Sequence, residues 1–398
     1  MGSILKTGLK QLPSLFLKKG DKAVPLNYRG ISLLNIMSKI YTGILNDRLQ
    51  EWTENRKKIG VEQAGFRREY ATTDNIFTIS QIASNRLYGT RRKKVYCTFV
   101  DFQKAFDSID RAKLWEVLTK IGVSTKVIRT LKAMYKSVKG RVRVGADLTN
   151  EIDCYTGVSQ GCKLSPLLFS LSINEVAKDI NTLTRGGYQF TPGSQPVKSL
   201  MFADDVSLLA DTPRDLQHAI NILDMSASKF GLKININKTE IIVFRKGGYL
   251  NKDEKWFLQG QKIYVVNNYK YLGFTLTTKL SGKVAMAEYV GRAKAKVYSI
   301  MKTLKALGRF SMSIILKFFD AQVVPSLLYA SDVWGLVPYD LVESVHMFAS
   351  KKLLGVRKQT PNCLIYGETG RFPIAIESQI RVIKYWFKIL KMEANRLP

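Results

Sequence analysis

Apolar positions recur along this chain with two different periods, and the changes between them outline its elements. From 32 to 52, Leu33, Leu34, Met37, Ile40, Tyr41, Ile44, Leu45 and Leu49 recur every three or four residues and predict a helix with one apolar stripe. Residues 72–88 predict another helix. At 95 the pattern changes to VYCTFVDF, a short run of β-formers that predicts a buried strand. Helices are expected near 111–121 and 125–138, and KGRVRVG (139–145) reads as a strand or hairpin arm. GVSQGCKLSP (157–166) is a Gly-punctuated loop, and Pro166 suits the first turn of the helix that follows.

SLMFADDVSLLAD (199–211) sets two apolar arms around Asp204 and Asp205, which predicts a β-hairpin with a two-residue turn. Thr212-Pro213 then opens a helix with Thr as cap and Pro at its first position. Leu216, Ile220, Leu223, Ala227 and Phe230 form its inner face, and Gly231 ends it. TEIIVF (239–244) and YKYLGFTL (269–276) read as strands. From about 284 the pattern is mainly helical, with Leu316, Phe318, Phe319 and Val323 expected in a core. The order from 95 to 244 matches a β-α-β-β-α-β plan: an antiparallel sheet backed by helices, of the α+β class.

A length of 398 residues suggests two or three subdomains around a shared cleft, and 45% hydrophobic residues exclude a disordered chain. Charge narrows the function. Lys+Arg number 62 against Asp+Glu 32, a net +30. Counting along the sequence gives 18 basic and 7 acidic residues over 1–100, 26 and 17 over 101–280, and 18 and 8 over 281–398. The excess is densest at the two ends, as in a cleft whose walls grip phosphates while its floor binds cations. Nucleic acid is the partner this implies. No basic amphipathic helix points to a membrane surface.

Cys97, Cys154, Cys162 and Cys363 form no CxxC pair, and His218 and His346 are the only histidines. Zinc and a disulfide framework are therefore not expected, and free thiols are. No apolar run approaches the roughly 20 residues of a membrane span. The start lacks a signal core, and Lys6 spoils a myristoylation site. An intracellular protein with no membrane partner is expected. RRKK (91–94) reads as a basic turn rather than a nuclear signal.

Three carboxylates stand where carboxylates are costly: Asp101 at the end of an apolar strand, and Asp204 and Asp205 at the tip of an apolar hairpin. Asp-Asp alone is an ordinary turn. Joined by Asp101, the pair suits Mg²⁺, which takes oxygen ligands from one or two carboxylates and from phosphates. Two such ions, with Mn²⁺ as substitute, can activate a 3′-hydroxyl and stabilise a leaving pyrophosphate.

FADD (202–205), DFQKAFDSIDR (101–111) and GVSQGCKLSP (157–166) together resemble reverse transcriptases, in particular those of non-LTR (LINE-type) retrotransposons. The ordered series extends through KKGDKAVPLNYRGISLL (18–34), QAGFR (63–67), GLKININKTEIIVF (231–244) and KYLGF (270–274), over about residues 12–280. The resemblance implies a right-hand polymerase: fingers over 1–94, a palm over 95–280 and a helical thumb over 281–398. It makes Asp101, Asp204 and Asp205 the metal ligands, with the Phe102 carbonyl beside them. It puts Phe106 at the steric gate, where a ring under the sugar clashes with a ribose 2′-hydroxyl.

Gln160 and Gly161 match the loop under the incoming nucleotide, and Lys238 a lysine suited to the departing pyrophosphate. Arg29 and Arg67 match basic finger positions that contact template or triphosphate. Lys270, Tyr271, Leu272 and Gly273 resemble the primer grip. RNA template, DNA primer and dNTPs are the implied partners. Nicked chromosomal DNA as primer implies work in the nucleus.

Gly30 and Lys163 stand where many relatives carry Pro, at sites that supply no ligand. A short segment before KKGDK, and no stretch resembling an endonuclease, a CCHC knuckle or a ribonuclease H, read as part of a larger retroelement protein. Two other readings compete. A catalytically inactive, truncated nucleic-acid-binding relic would keep the charge. An RNA-dependent RNA polymerase would share the palm, against which Phe106 and Ala203 argue.

Overall fold

The computed structural model describes residues 10–17, 21, 28–89, 93–136, 138–141, 143–144, 147–190, 194–308, 311–337, 340–393 and 396–397. Arg91 and Arg92 lie outside them, and the side chains of 10–17, 28–31, 140, 143–144, 147–148 and 307 are likewise not described. Two compact units emerge, each assembled from separated segments. The first comprises Met1–Tyr70, Tyr96–Ile241 and Leu250–Tyr264; the second comprises Ala71–Val95, Ile242–Tyr249 and Val265–Pro398.

In chain order the elements begin with β1 (Lys10–Leu17), β2 (Tyr28–Leu34), α1 (Ile36–Asn55), α2 (Thr72–Tyr88) and β3 (Val95–Val100). Next come α3 (Ala105–Ser108), α4 (Arg111–Lys120), α5 (Thr125–Tyr135) and four two-residue strands, β4 (Lys139–Gly140), β5 (Arg143–Val144), β6 (Asp147–Leu148) and β7 (Ile152–Asp153). α6 (Ser165–Leu183), β8 (Ser199–Phe202), β9 (Asp205–Ala210), α7 (Pro213–Lys229) and β10 (Glu240–Phe244) complete the predicted core plan. β11 (Trp256–Leu258) and β12 (Gln261–Val266) follow, giving a sheet of order β11–β12–β10–β3–β9–β8.

β3 and β9 are antiparallel with Val100 opposite Val206, and β8 and β9 are antiparallel with Phe202 opposite Asp205. All six β3 residues are buried, as a strand covered on both faces requires. α6 carries Pro166 in its first turn. α7 starts where Thr212 accepts a hydrogen bond from the Asp215 N–H, with Pro213 in the first turn. Leu216, Ile220, Leu223 and Ala227 are buried as expected, and Phe230 is half-buried.

The stripe on α1 departs from its reading. Met37, Ile40 and Ile44 are exposed, while Ser38, Thr42, Gly43, Leu49 and Thr53 are buried. Small side chains let this helix approach its neighbours closely. At Gly43 the aliphatic stem of Lys163 packs where a side chain would begin. KGRVRVG forms two short strands, β4 and β5, each parallel to β1.

In the second unit YKYLGFTL is a hairpin rather than one strand. β13 (Asn268–Tyr271) pairs with β14 (Phe274–Thr277) around Leu272 and Gly273, whose φ values of +46° and +85° turn the chain back. The rest is helical: α8 (Lys283–Leu307), α9 (Met312–Phe318), α10 (Val324–Leu327), α11 (Ser331–Trp334), α12 (Asp340–Leu353), α13 (Asn362–Thr369) and α14 (Ile374–Leu390). Phe319 and Val323 are buried, but Phe318 is exposed. The turn from Phe319 to Val323 has π geometry.

α14 lies with a polar face inward. The Tyr385 hydroxyl donates to Asp74 Oδ1 at 2.9 Å, and Lys388 Nζ lies 3.2 Å from that oxygen. Arg396 reaches Asp74 Oδ2 at 3.3 Å, and Ser378 bonds to the Gly335 carbonyl. Ile376, Ile380, Ile383, Trp386, Phe387 and Leu390 face outward. Among the described residues no helix is long and apolar enough to cross a membrane.

Candidate active site

The first unit brings the predicted catalytic segments to one end of its sheet. Continuing the β3–β9 register by one pair sets Asp101 opposite Asp205. Asp204 occupies the turn between β8 and β9. The two turn residues are Ala203 and Asp204, one position earlier than the sequence suggests, and Ala203 adopts φ +58°. Asp205 is exposed, and Asp101 and Asp204 are partly exposed, so all three carboxylates reach solvent at the sheet end.

Asp101 is held by a segment 134 residues away. Asn235 donates from Nδ2 to Asp101 Oδ2 at 3.1 Å and from its backbone N–H to the Asp101 carbonyl at 2.7 Å. Lys238, in a short 3₁₀ turn, places Nζ 3.8 Å from the same Oδ2, its side chain 61% exposed. Phe102 is buried and bridges Ile234 through the backbone. The GLKININK segment thus delivers Lys238 to the first aspartate and adds Asn235, which the sequence reading did not single out.

Phe106 stands on α3, 8% exposed, stacked on Phe169 of α6 at 4.5 Å. The edge of Phe66 meets it at 6.1 Å. Its carbonyl accepts the Val158 N–H at 2.8 Å, which ties the GVSQG loop to the first aspartate's segment. Gln160 gives its carbonyl to the Ser32 N–H at 2.7 Å. Gly161, at φ +110°, lies where a Cβ would be 2.4 Å from the Ser32 carbonyl oxygen, so the backbone it lets approach is the chain's own β2.

Arg111 fastens the run before this loop. Its guanidinium bonds to the carbonyls of Tyr135, Cys154, Thr156 and Gly157, and burial lowers its pKa. Ser32, Asp107, Arg111, Tyr155, Gly157 and Gln160 are among the residues around a cavity of about 470 Å³ here.

Arg67 is engaged within its own loop. Its side chain is 10% exposed, and four of its N–H donors go to both Glu54 carboxylate oxygens and to the Gly60 and Gln63 carbonyls. It also stacks on Tyr70. In this structure it builds the QAGFR loop. Arg29 lies on β2, and its side chain is outside the described residues.

The expected primer-grip residues form the turn of the β13–β14 hairpin in the second unit. Lys270 pairs with Glu288 at 3.1 Å, and Tyr271 is buried. The Leu272 and Gly273 carbonyls accept from the hydroxyls of Tyr329 and Tyr289.

Among the described residues no three His, Cys, Asp or Glu side chains converge on one point as metal ligands. The fit to divalent cations rests on donor chemistry alone: three hard carboxylate oxygen donors at adjacent strand ends.

An antiparallel sheet with carboxylates at a hairpin turn and helices behind it defines a right-hand polymerase of the α+β class. Apo telomerase from Candida tropicalis shares this fold with a TM-score of 0.51 at 12% identity, over 94% of this chain and 62% of that one. The family model described as reverse transcriptase (RNA-dependent DNA polymerase) matches residues 17–276, and the chain belongs to that family.

The chain is 25% identical over 368 residues to a retrovirus-related Pol polyprotein from type-1 retrotransposable element R2 of Popillia japonica, covering 89% of this chain and 48% of that protein. It is 24% identical to the probable RNA-directed DNA polymerase from transposon X-element of Drosophila melanogaster, covering 82% and 35%. These are proteins of non-LTR retrotransposons, as the motifs imply. The chain spans between about a third and a half of their lengths.

Proposed function

We propose that this chain is the polymerase core of a non-LTR retrotransposon protein and extends a DNA primer on an RNA template from dNTPs. The observation that supports this most is the register that sets Asp101 across from Asp205, with Asp204 in the adjoining turn. Bound Mg²⁺ ions, for which Mn²⁺ could substitute, would lower the pKa of the primer 3′-hydroxyl and stabilise charge on the leaving pyrophosphate. Asp101, Asp204 and Asp205 would hold them.

Asn235 orients the Asp101 carboxylate, and Lys238, 3.8 Å from that carboxylate, would offer a proton or positive charge to the departing phosphate. Phe106 lies under the sugar and excludes the 2′-hydroxyl. Gln160 and Gly161 shape the floor, and Lys270 to Gly273 hold the primer end. With nicked chromosomal DNA as primer, the reaction belongs in the nucleus, and this chain is the catalytic part of a longer protein.

Extension of oligo(dT) on poly(rA) with Mg²⁺, wild type beside Asp204→Ala, tests the reading. Synthesis by the wild type and none by the variant, with equal binding of primed template, is the expected outcome. No synthesis by the wild type, with binding intact, would replace it with a non-catalytic nucleic-acid-binding protein.

A further inference from the structure

The turn that carries Asp204 is held by one side chain outside the carboxylate set. Gln63 is fully buried. Its Oε1 accepts the Ala203 N–H at 3.0 Å and the Gly65 N–H at 2.8 Å, and its Nε2 donates to the Ala203 carbonyl at 3.3 Å. Both backbone groups of the residue before Asp204 are thus bound by a single carboxamide. Ala203 sits in the left-handed region, where a non-Gly residue persists only if its surroundings impose it.

The segment around Gln63 is itself anchored to the hairpin. Ala64 N–H donates to the Met201 carbonyl at 2.9 Å, and Met201 N–H donates to the Glu62 carbonyl at 2.8 Å. Gly65 lies so close that a Cβ there would come within 2.2 Å of the Ala203 nitrogen. Arg67 fixes the loop from its other end, and Phe66 between them meets the Phe106 ring. One short loop therefore touches both the metal-binding turn and the proposed sugar gate.

We propose that Gln63 is a positioning residue: its carboxamide fixes the peptide planes on either side of Ala203 and so aims the Asp204 carboxylate. The catalytic consequence rests on the polymerase reading; the clamp itself does not. Gln63→Met keeps the length of the side chain and removes all three hydrogen bonds. Gln63→Glu keeps an acceptor for the two N–H groups.

Hydrogen exchange followed by mass spectrometry on the full chain reads the clamp directly. In Gln63→Met, exchange in peptides covering 202–205 should accelerate by about tenfold or more, while β3 and α7 stay protected. Gln63→Glu should restore much of that protection. In primer extension, kcat should fall by about tenfold to a hundredfold in Gln63→Met, with the dNTP KM and primed-template affinity unchanged.

Unchanged exchange at the turn would overturn the clamp. So would acceleration spread through the whole sheet, which marks a general packing role. If the turn loosens while kcat holds, Gln63 is no positioning residue. If the wild type makes no product, the polymerase reading fails, and the exchange rates still decide the clamp.

Discussion

Phe106 touches Phe169 face to face and Phe66 edge to face, so shortening it has two separable effects. Phe106→Val removes ring packing and, under the proposed reading, also leaves space under the sugar. Discrimination between dNTP and rNTP, measured as the ratio of their kcat/KM values, should fall by about tenfold or more. The unfolding free energy should fall by about 2 kcal/mol in the same variant. Unchanged discrimination alongside lost stability would leave Phe106 as core alone. The placement of the three aspartates at neighbouring strand ends was legible in the sequence, because the apolar runs around them mark the strands. Asn235 and Gln63 were not, because their partners lie 134 and 140 residues away and only tertiary approach defines them. Nor were the partners of Arg67: a basic residue in a motif does not reveal that Glu54 and two carbonyls hold it.

At the scale of elements, periodicity located the helices but not always the face they bury. α1 turns mainly small and polar residues inward, and α14 buries Ser378 and Tyr385 beside Ile374 while larger apolar side chains stay exposed. What seats α14 is Asp74, 1% exposed at the start of α2, where Tyr385, Lys388 and Arg396 converge and the Ala71 N–H is also bonded. Burial and the Asp74 charge both raise the Tyr385 pKa, so the phenol stays protonated as the donor. Asp74→Ala removes the carboxylate that Tyr385, Lys388 and Arg396 share. It should cost about 3 kcal/mol in denaturant unfolding of the chain. A loss below about 1 kcal/mol would show that the cluster is solvated and dispensable. The KYLGF hairpin teaches the same lesson in a strand: a run of β-formers reads as one strand, and positive φ at Leu272 and Gly273 turns it back on itself.

For the whole molecule, sequence and structure divide the chain differently. The segments read as fingers, palm and thumb are contiguous, whereas each compact unit gathers three separated stretches, because contacts ignore chain order. Net charge transfers without such rearrangement. With +30 on the chain, affinity for a primed RNA template should be strongly ionic. Six or more phosphate contacts would lower it about a thousandfold between roughly 50 and 200 mM salt. A fall of less than about tenfold in a binding titration over that range would place the basic surface away from the nucleic acid.

The inward polar face of α14 also leaves its outer rows unconstrained. Since Asp74 orients the helix, Ile376, Ile383 and Leu390 contribute little to holding it in place. Of these, Ile383 and Leu390, 51% and 61% exposed, are the positions at which amide side chains should cost least. They are where a more soluble preparation of this protein is to be engineered.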